Sequence, residues 1–148
     1  MATTKQLLGS KGDSKNYSIA STDTVLKALD IMAEANISAV MVTENERIIG
    51  IFTERDYSRK CELNGLSAKN TTVRDLMTEQ MMTVTTDTSM DQCMRLMNQY
   101  HIRHLPIIDN DTMIGMVSMR DVVDTLLSER ESEIKGLENY ILGSGFAT

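Results

Sequence analysis

The chain has 148 residues, 41% hydrophobic and 4% aromatic with no tryptophan, a net charge of −6 and an isoelectric point near 4.9. That length fits one sizeable core, or two small halves sharing one. An acidic chain lacks the basic face that neutralises phosphate backbones, which argues against nonspecific nucleic-acid binding. No apolar run is long enough to cross a membrane and no signal peptide begins at Met1, so the expected address is the cytoplasm. Cys61 and Cys93 have no CxxC or metal-ligand spacing and are expected as buried free thiols.

In chain order, residues 5–8 read as a short helix and residues 9–16 as loop. Residues 17–20 form a short strand, and residues 21–24 supply turn and cap chemistry for a helix whose apolar positions are Val25, Ala28, Leu29, Met32, Ala33 and Ala35. Asn36 closes it. Residues 38–43 and 47–52 pair around Glu44-Asn45-Glu46, and Thr53 caps a second helix running to about Leu63. Residues 64–70 are a short polar connection, residues 72–77 a one-turn helix and residues 82–85 a strand. The order then recurs, with Met90, Met94, Met97 and Tyr100 marking the next helix. After Asp121 an apolar stripe through Val122, Val123, Leu126, Leu127, Ile134, Leu137, Tyr140 and Ile141 continues to Gly143. So long a stripe exceeds what one small domain can cover, and it is expected to form a homodimer.

The recurrence is an internal duplication. Gly50-Ile51-Phe52-Thr53-Glu54-Arg55-Asp56 returns 65 positions later as Gly115-Met116-Val117-Ser118-Met119-Arg120-Asp121. At the same offset Met32 falls on Met97, Ile37 on Ile102, Asn45 on Asn110 and Ile49 on Ile114. Each motif reads as a turn glycine, the end of a buried strand and a helix start. Two readings of the hydroxyl and acid three apart stay open: a capping box with no ligand, or a site where the carboxylate accepts ribose hydroxyls while Thr53 or Ser118 and the free helix N–H groups hold a phosphate.

Both halves resemble CBS motifs, and the chain resembles a CBS pair, or Bateman module, of the short stand-alone type found in bacteria and plant organelles. The likeness rests on the repeated corner, on the strands around Ile37-Ser38-Ala39-Val40-Met41-Val42 and Ile102-Arg103-His104-Leu105-Pro106-Ile107, and on the preceding helices. It implies an α/β (α+β) fold of two strand-helix-strand-strand-helix repeats related by a pseudo-twofold axis, residues 1–66 and 67–148, with an extended C-terminal helix. It also implies that Asp56 and Asp121 hold ribose and that Thr53 and Ser118 contact phosphate, Arg55 and Arg120 lying beside them. The sites would cross the repeats. The Asp121 corner would take Ser38 and the strand with Ile19 and Ala20; the Asp56 corner would take Arg103 and the strand with Met82 and Val84. Ile37 and Ile102 would be apolar walls. Arg103 and His104 are the expected phosphate partners, since a planar guanidinium binds phosphate oxygens bidentately.

His101 and His104 lack a third ligand, so no metal is expected, and no nucleophile, base and orienter group together, so no enzyme is expected. The expected function is an adenine-nucleotide-binding regulatory module for energy or redox sensing, binding AMP and/or NAD(H) ahead of ATP or S-adenosylmethionine, with no catalytic cofactor. It would act on a regulated protein partner that the sequence does not name. The alternative is a structural dimerisation or protein-interaction module whose corners are only helix caps.

Overall fold

The described residues of the computed structural model are 2–11, 17–79 and 82–143. Both hairpins form for the same local reason. Asn45 and Glu46, and again Asn110 and Asp111, adopt the left-handed backbone of a two-residue turn, with φ between 50° and 64°. Asparagine enters that region more easily than most residues, which accounts for its recurrence. The turns join β2 (Ala39–Glu44) to β3 (Arg47–Thr53) and β4 (His104–Asp109) to β5 (Thr112–Ser118). Each ladder shifts register at the same point, skipping Ile49 in one and Ile114 in the other. These bulge isoleucines pack on their own cores.

α2 (Val25–Ala35) and α5 (Met90–Tyr100) begin at Thr24 and Ser89, whose hydroxyls accept from the third helical N–H, and end at left-handed Asn36 and His101. They lay Val25, Ala28 and Met32, or Met90, Cys93 and Met97, against the hairpins. Met94 and Tyr100, expected as markers of the helix, are 38% and 48% exposed. Cys93 and Met94 flank the Met90–Met97 line equally, and the side that packs on the hairpin is that of Cys93. Cys61 and Cys93 are both free and buried, and burial pushes the Cys93 thiol up to about 11, so it stays protonated at neutral pH.

The repeats differ in three places. β1 (Ser18–Ala20) runs parallel to β2, but the strand expected at residues 82–85 is reduced to one bridge, Val84 with Ile107. In the first repeat the Met41 N–H donates to the Tyr17 carbonyl. Pro106 occupies the place of Met41 and has no N–H, which removes that rung. The result is a three-stranded and a two-stranded sheet, in contact through β3 and β5. After the first corner, α3 (Glu54–Asp56) passes into a π-helical segment, Tyr57–Glu62, where an ordinary helix was expected. The Tyr57 hydroxyl donates to Glu62 five residues on, a spacing that suits the wider winding. After the second corner, α6 (Met119–Ile141) is a continuous α-helix of 23 residues. Its distal apolar stripe lies bare, Leu137 at 63% and Tyr140 at 72% exposed. Gly143 stands two residues past its end, and residues 144–148 lie outside the described residues.

Packing crosses the expected boundary at residue 66. The connection after the first repeat, with Ala68, α4 (Val73–Leu76) and Met77, closes the first core. The second core is closed by the start of the chain, where α1 (Thr4–Lys11) contributes Leu7. α1 takes in residues 9–11 of the expected loop, and residues 12–16 lie outside the described residues. The two closures match bond for bond: Val25 N–H to the Thr71 carbonyl in one, Met90 N–H to the Ala2 carbonyl in the other. The bridges Thr24–Thr72 and Ser89–Thr3 match as well. The lead-in is therefore part of the second repeat's core, and Leu7→Ala should cost about 2 to 3 kcal/mol of stability. Urea unfolding measures this; an unchanged midpoint would mean that the lead-in is dispensable.

Candidate functional site

Both corners carry complete capping boxes. The Thr53 hydroxyl accepts from Asp56 N–H at 3.1 Å and Thr53 N–H donates to Asp56 Oδ2 at 3.0 Å; for Ser118 and Asp121 the distances are 3.1 and 2.8 Å. Each corner is also tied to its own hairpin, Glu54 N–H donating to the Ser38 carbonyl and Met119 N–H to the Arg103 carbonyl. The carboxylates are thereby fixed at the helix starts, facing the space between the hairpins.

The motif glycine does not sit in a turn as expected. Gly50 lies within β3, opposite Val42. A Cβ there would stand 2.8 Å from Met77 Sδ and 2.9 Å from the Thr78 carbonyl oxygen. Only glycine lets the connection pass this close, and the passage brings Thr78 into mutual backbone hydrogen bonds with Ile51 and beside Asp56.

Two clefts result, and each crosses the repeats. The larger, about 650 Å³, joins Ser118, Arg120 and Asp121 to Tyr17, Ile37 and Ser38. The smaller, about 410 Å³, joins Thr53, Arg55 and Asp56 to Thr78, Ile102 and Arg103. Ser38, Glu54 and His104 line both and so form the wall between them, with Ser38 Oγ 3.2 Å from His104 Nε2. Eleven of the sequence-derived candidates thus lie on a cleft. The other four line neither. Ile19 and Val84 point into the two cores at 3% and 4% exposure, because alternation along a strand turns them away from the clefts. Met82 packs on the second core, and the Ala20 N–H is held by Asp23.

Glu54, Tyr17 and Thr78 are among the lining residues that the motif does not single out. Glu54 occupies the variable position of the motif, where the second repeat has Met119. Thr78 reaches the cleft only through the path of the connection. Tyr17 precedes β1 and faces the Asp121 corner.

The corners are chemically unequal. Asp56 is 7% exposed; its Oδ1 accepts from the Thr78 hydroxyl at 3.0 Å and pairs with Lys60 Nζ at 3.0 Å. Lys60 Nζ reaches the Leu76 carbonyl as well. Arg55 donates to the His101 carbonyl at 2.7 Å, clamping the first corner to the end of α5. Arg120, by contrast, has a side chain 78% exposed, with Asp124 at 3.9 Å. Among the described residues, no group of three or more His, Cys, Asp or Glu could hold a metal ion. No helix among them is long and apolar enough to cross a membrane.

Comparison with known proteins places this geometry. A family model described as CBS domain matches residues 13–62 and 73–128. The CBS domain-containing protein CBSX3, mitochondrial, of Arabidopsis thaliana is 40% identical over 149 residues, covering 95% of this chain and 72% of that protein. A solved protein with CBS domains from Burkholderia ambifaria MC40-6 is 39% identical with a TM-score of 0.82, over 86% of this chain and 95% of that one. The CBS domain pair of protein MJ0100, solved in complex with 5'-methylthioadenosine and S-adenosyl-L-methionine, shares the fold at a TM-score of 0.74 and 20% identity, over 87% and 98% of the two chains.

The unequal corners predict unequal stability effects. Asp56→Ala removes an acceptor from both Lys60 and Thr78, Lys60 keeping the Leu76 carbonyl, and should cost about 2 kcal/mol, a figure discounted for the 40% exposure of the Lys60 side chain. Ser118→Ala should cost about 1 kcal/mol, the loss of a helix cap. Chemical denaturation of the two variants checks the order; equal losses would contradict it.

Proposed function

The chain belongs to the CBS-domain family, and from that premise we propose that it is a regulatory module binding an adenine nucleotide, AMP or NAD(H), between its two repeats. The observation that carries the reading is the crossed cleft. At each corner a carboxylate, a hydroxyl and a helix start face a strand from the other repeat. A carboxylate suits a ribose diol and a helix start suits a phosphate. The apolar walls Ile37 and Ile102 suit an adenine ring. The adenosine compounds held by the MJ0100 pair support an adenosine ligand by likeness of fold alone. The Arabidopsis and Burkholderia relatives are named for their CBS domains and not for a reaction, which favours binding over catalysis.

Charge ranks the ligands. The cation lining the larger cleft is Arg120, and those lining the smaller are Arg55 and Arg103, with His104 on the wall between the two. Glu54 adds a negative charge to both walls. One phosphate, or a diphosphate whose second nucleoside adds apolar contact, can be balanced there. A triphosphate brings about four charges into an acidic chain. AMP and NADH should therefore bind more tightly than ATP, with S-adenosylmethionine as a further candidate. Calorimetric titration at fixed ionic strength tests the ranking, and tighter binding of ATP than of both others would reverse it.

A second reading has its own observation: both capping boxes are complete without any ligand. On that reading the module only dimerises or binds another protein. Thermal-shift screening with AMP, NADH, ATP and S-adenosylmethionine separates the two, because a ligand that binds the folded state raises the melting temperature with concentration. No shift with any of them would leave the second reading.

Either reading uses a homodimer, supported by the bare stripe of α6. Light scattering should find a dimer for the intact chain and weaker association after truncation at Ser128. A monomeric intact chain would overturn this part. The cytoplasmic address is likewise proposed, the Arabidopsis relative being mitochondrial, and fractionation of the source cells decides it.

A further inference from the structure

We infer that Glu54 sets how much negative charge a ligand can bring into the clefts, one carboxylate acting on both of them. This deepens the reading above and rests on it.

Glu54 is the first residue of α3, and its N–H donates to the Ser38 carbonyl. That bond fixes the backbone point from which the side chain starts. The residue is exposed and lines the larger cleft and the smaller one alike, together with Ser38 and His104. Among the described residues its carboxylate has no hydrogen-bond or ion-pair partner. The cations nearest in sequence are committed elsewhere, Arg55 to the His101 carbonyl and Lys60 to Asp56 and the Leu76 carbonyl. The wall between the clefts therefore carries a full negative charge that no neighbouring cation offsets.

The second repeat shows that the fold does not require an acid at this point. Met119 holds the same position, and its N–H donates to the Arg103 carbonyl as that of Glu54 does to Ser38. The Met119 side chain packs on the second core and lines neither cleft. The backbone is the same in both repeats, and only the side chain of the first stands on the wall. A carboxylate at a helix start gains something from the helix dipole, but exposure to water keeps that gain small. Its larger effect falls on an anion that enters beside it.

That effect scales with the charge of the ligand. Adenosine brings none, AMP about two negative charges and ATP about four. At a solvent-exposed wall, screening leaves a penalty of about threefold in affinity for AMP and about tenfold for ATP. Because Glu54 faces both clefts, the discrimination applies on whichever side the phosphates sit and does not depend on which corner takes the ribose. The preference for a nucleotide with few charges is then the work of one side chain.

Calorimetric titration of the intact protein with adenosine, AMP and ATP, in magnesium-free buffer at fixed ionic strength, tests this on the wild type, Glu54→Gln and Glu54→Asp. Glu54→Gln should bind AMP about threefold and ATP about tenfold more tightly than the wild type, with adenosine unchanged, and added salt should narrow the difference. Glu54→Asp keeps the charge and should keep the wild-type ratio of AMP to ATP affinity. The same change for all three ligands in Glu54→Gln, as a purely structural role would give, or an unchanged ratio of AMP to ATP affinity, would overturn the inference while leaving nucleotide binding intact. So would a ratio in Glu54→Asp that moves as far as in Glu54→Gln. Binding of none of the three ligands to the wild type would remove the nucleotide reading and this inference together.

Discussion

A helix that starts at the end of a strand leaves N–H groups with no partner inside the helix, and this chain solves that problem twice in the same way. A hydroxyl at the last strand position and a carboxylate three residues on exchange bonds with the backbone. Everything at the clefts depends on that exchange. It sets the angle at which α3 and α6 leave their hairpins, and it holds a negative group at a helix start in a position it could not keep as a flexible surface side chain. A structural need and a binding surface are met by the same atoms, so the motif by itself cannot reveal which of the two is in use. What separates the corners is whatever else reaches each carboxylate.

The fold was largely legible because its signals are local. Asparagine at the turns, hydroxyls at the helix starts, the 65-residue offset and the helical spacing of Val25, Ala28 and Met32 each point to one backbone conformation. The misreadings come from effects of position. Met94 falls on the exposed side of the Met90–Met97 line, and Tyr100 is exposed as the last residue of α5. Pro106 was visible in the sequence, yet its consequence, the lost rung beside Val84, shows only when it is set against Met41 in the other repeat.

The clefts were legible where residues belong to a motif and illegible where the chain path decides. Lys60 is four residues from Asp56, a spacing at which helical side chains meet. Thr78 is 22 residues from Asp56 and arrives because Gly50 allows the connection to cross β3. The repeats are not copies at the clefts: Arg103-His104 stands where the first repeat has Ser38-Ala39. Duplicated sequences keep the positions that each half needs to fold, and they diverge where only one half needs a given contact. Lys60 is a difference of that kind, since Thr125 stands at its place in the second repeat and Lys60 ties the first corner to the Leu76 carbonyl.

The closure of the second core by the start of the chain has a kinetic consequence. The first core draws on residues 19–77, a contiguous stretch that can assemble as soon as it leaves the ribosome. The second draws on Leu7 and on residues up to Val122, with Leu126 packed against it, and the Ala2 N–H donates to Glu129 Oε1 across a separation of 127 residues. Closing so large a loop carries an entropy cost that must be met before any of its contacts form. The nascent chain therefore passes through a stage with one finished half and one waiting for its own beginning. At that stage the apolar faces of α5 and β5 are uncovered, and an early-folding neighbour could supply its own lead-in to them in place of the chain's own.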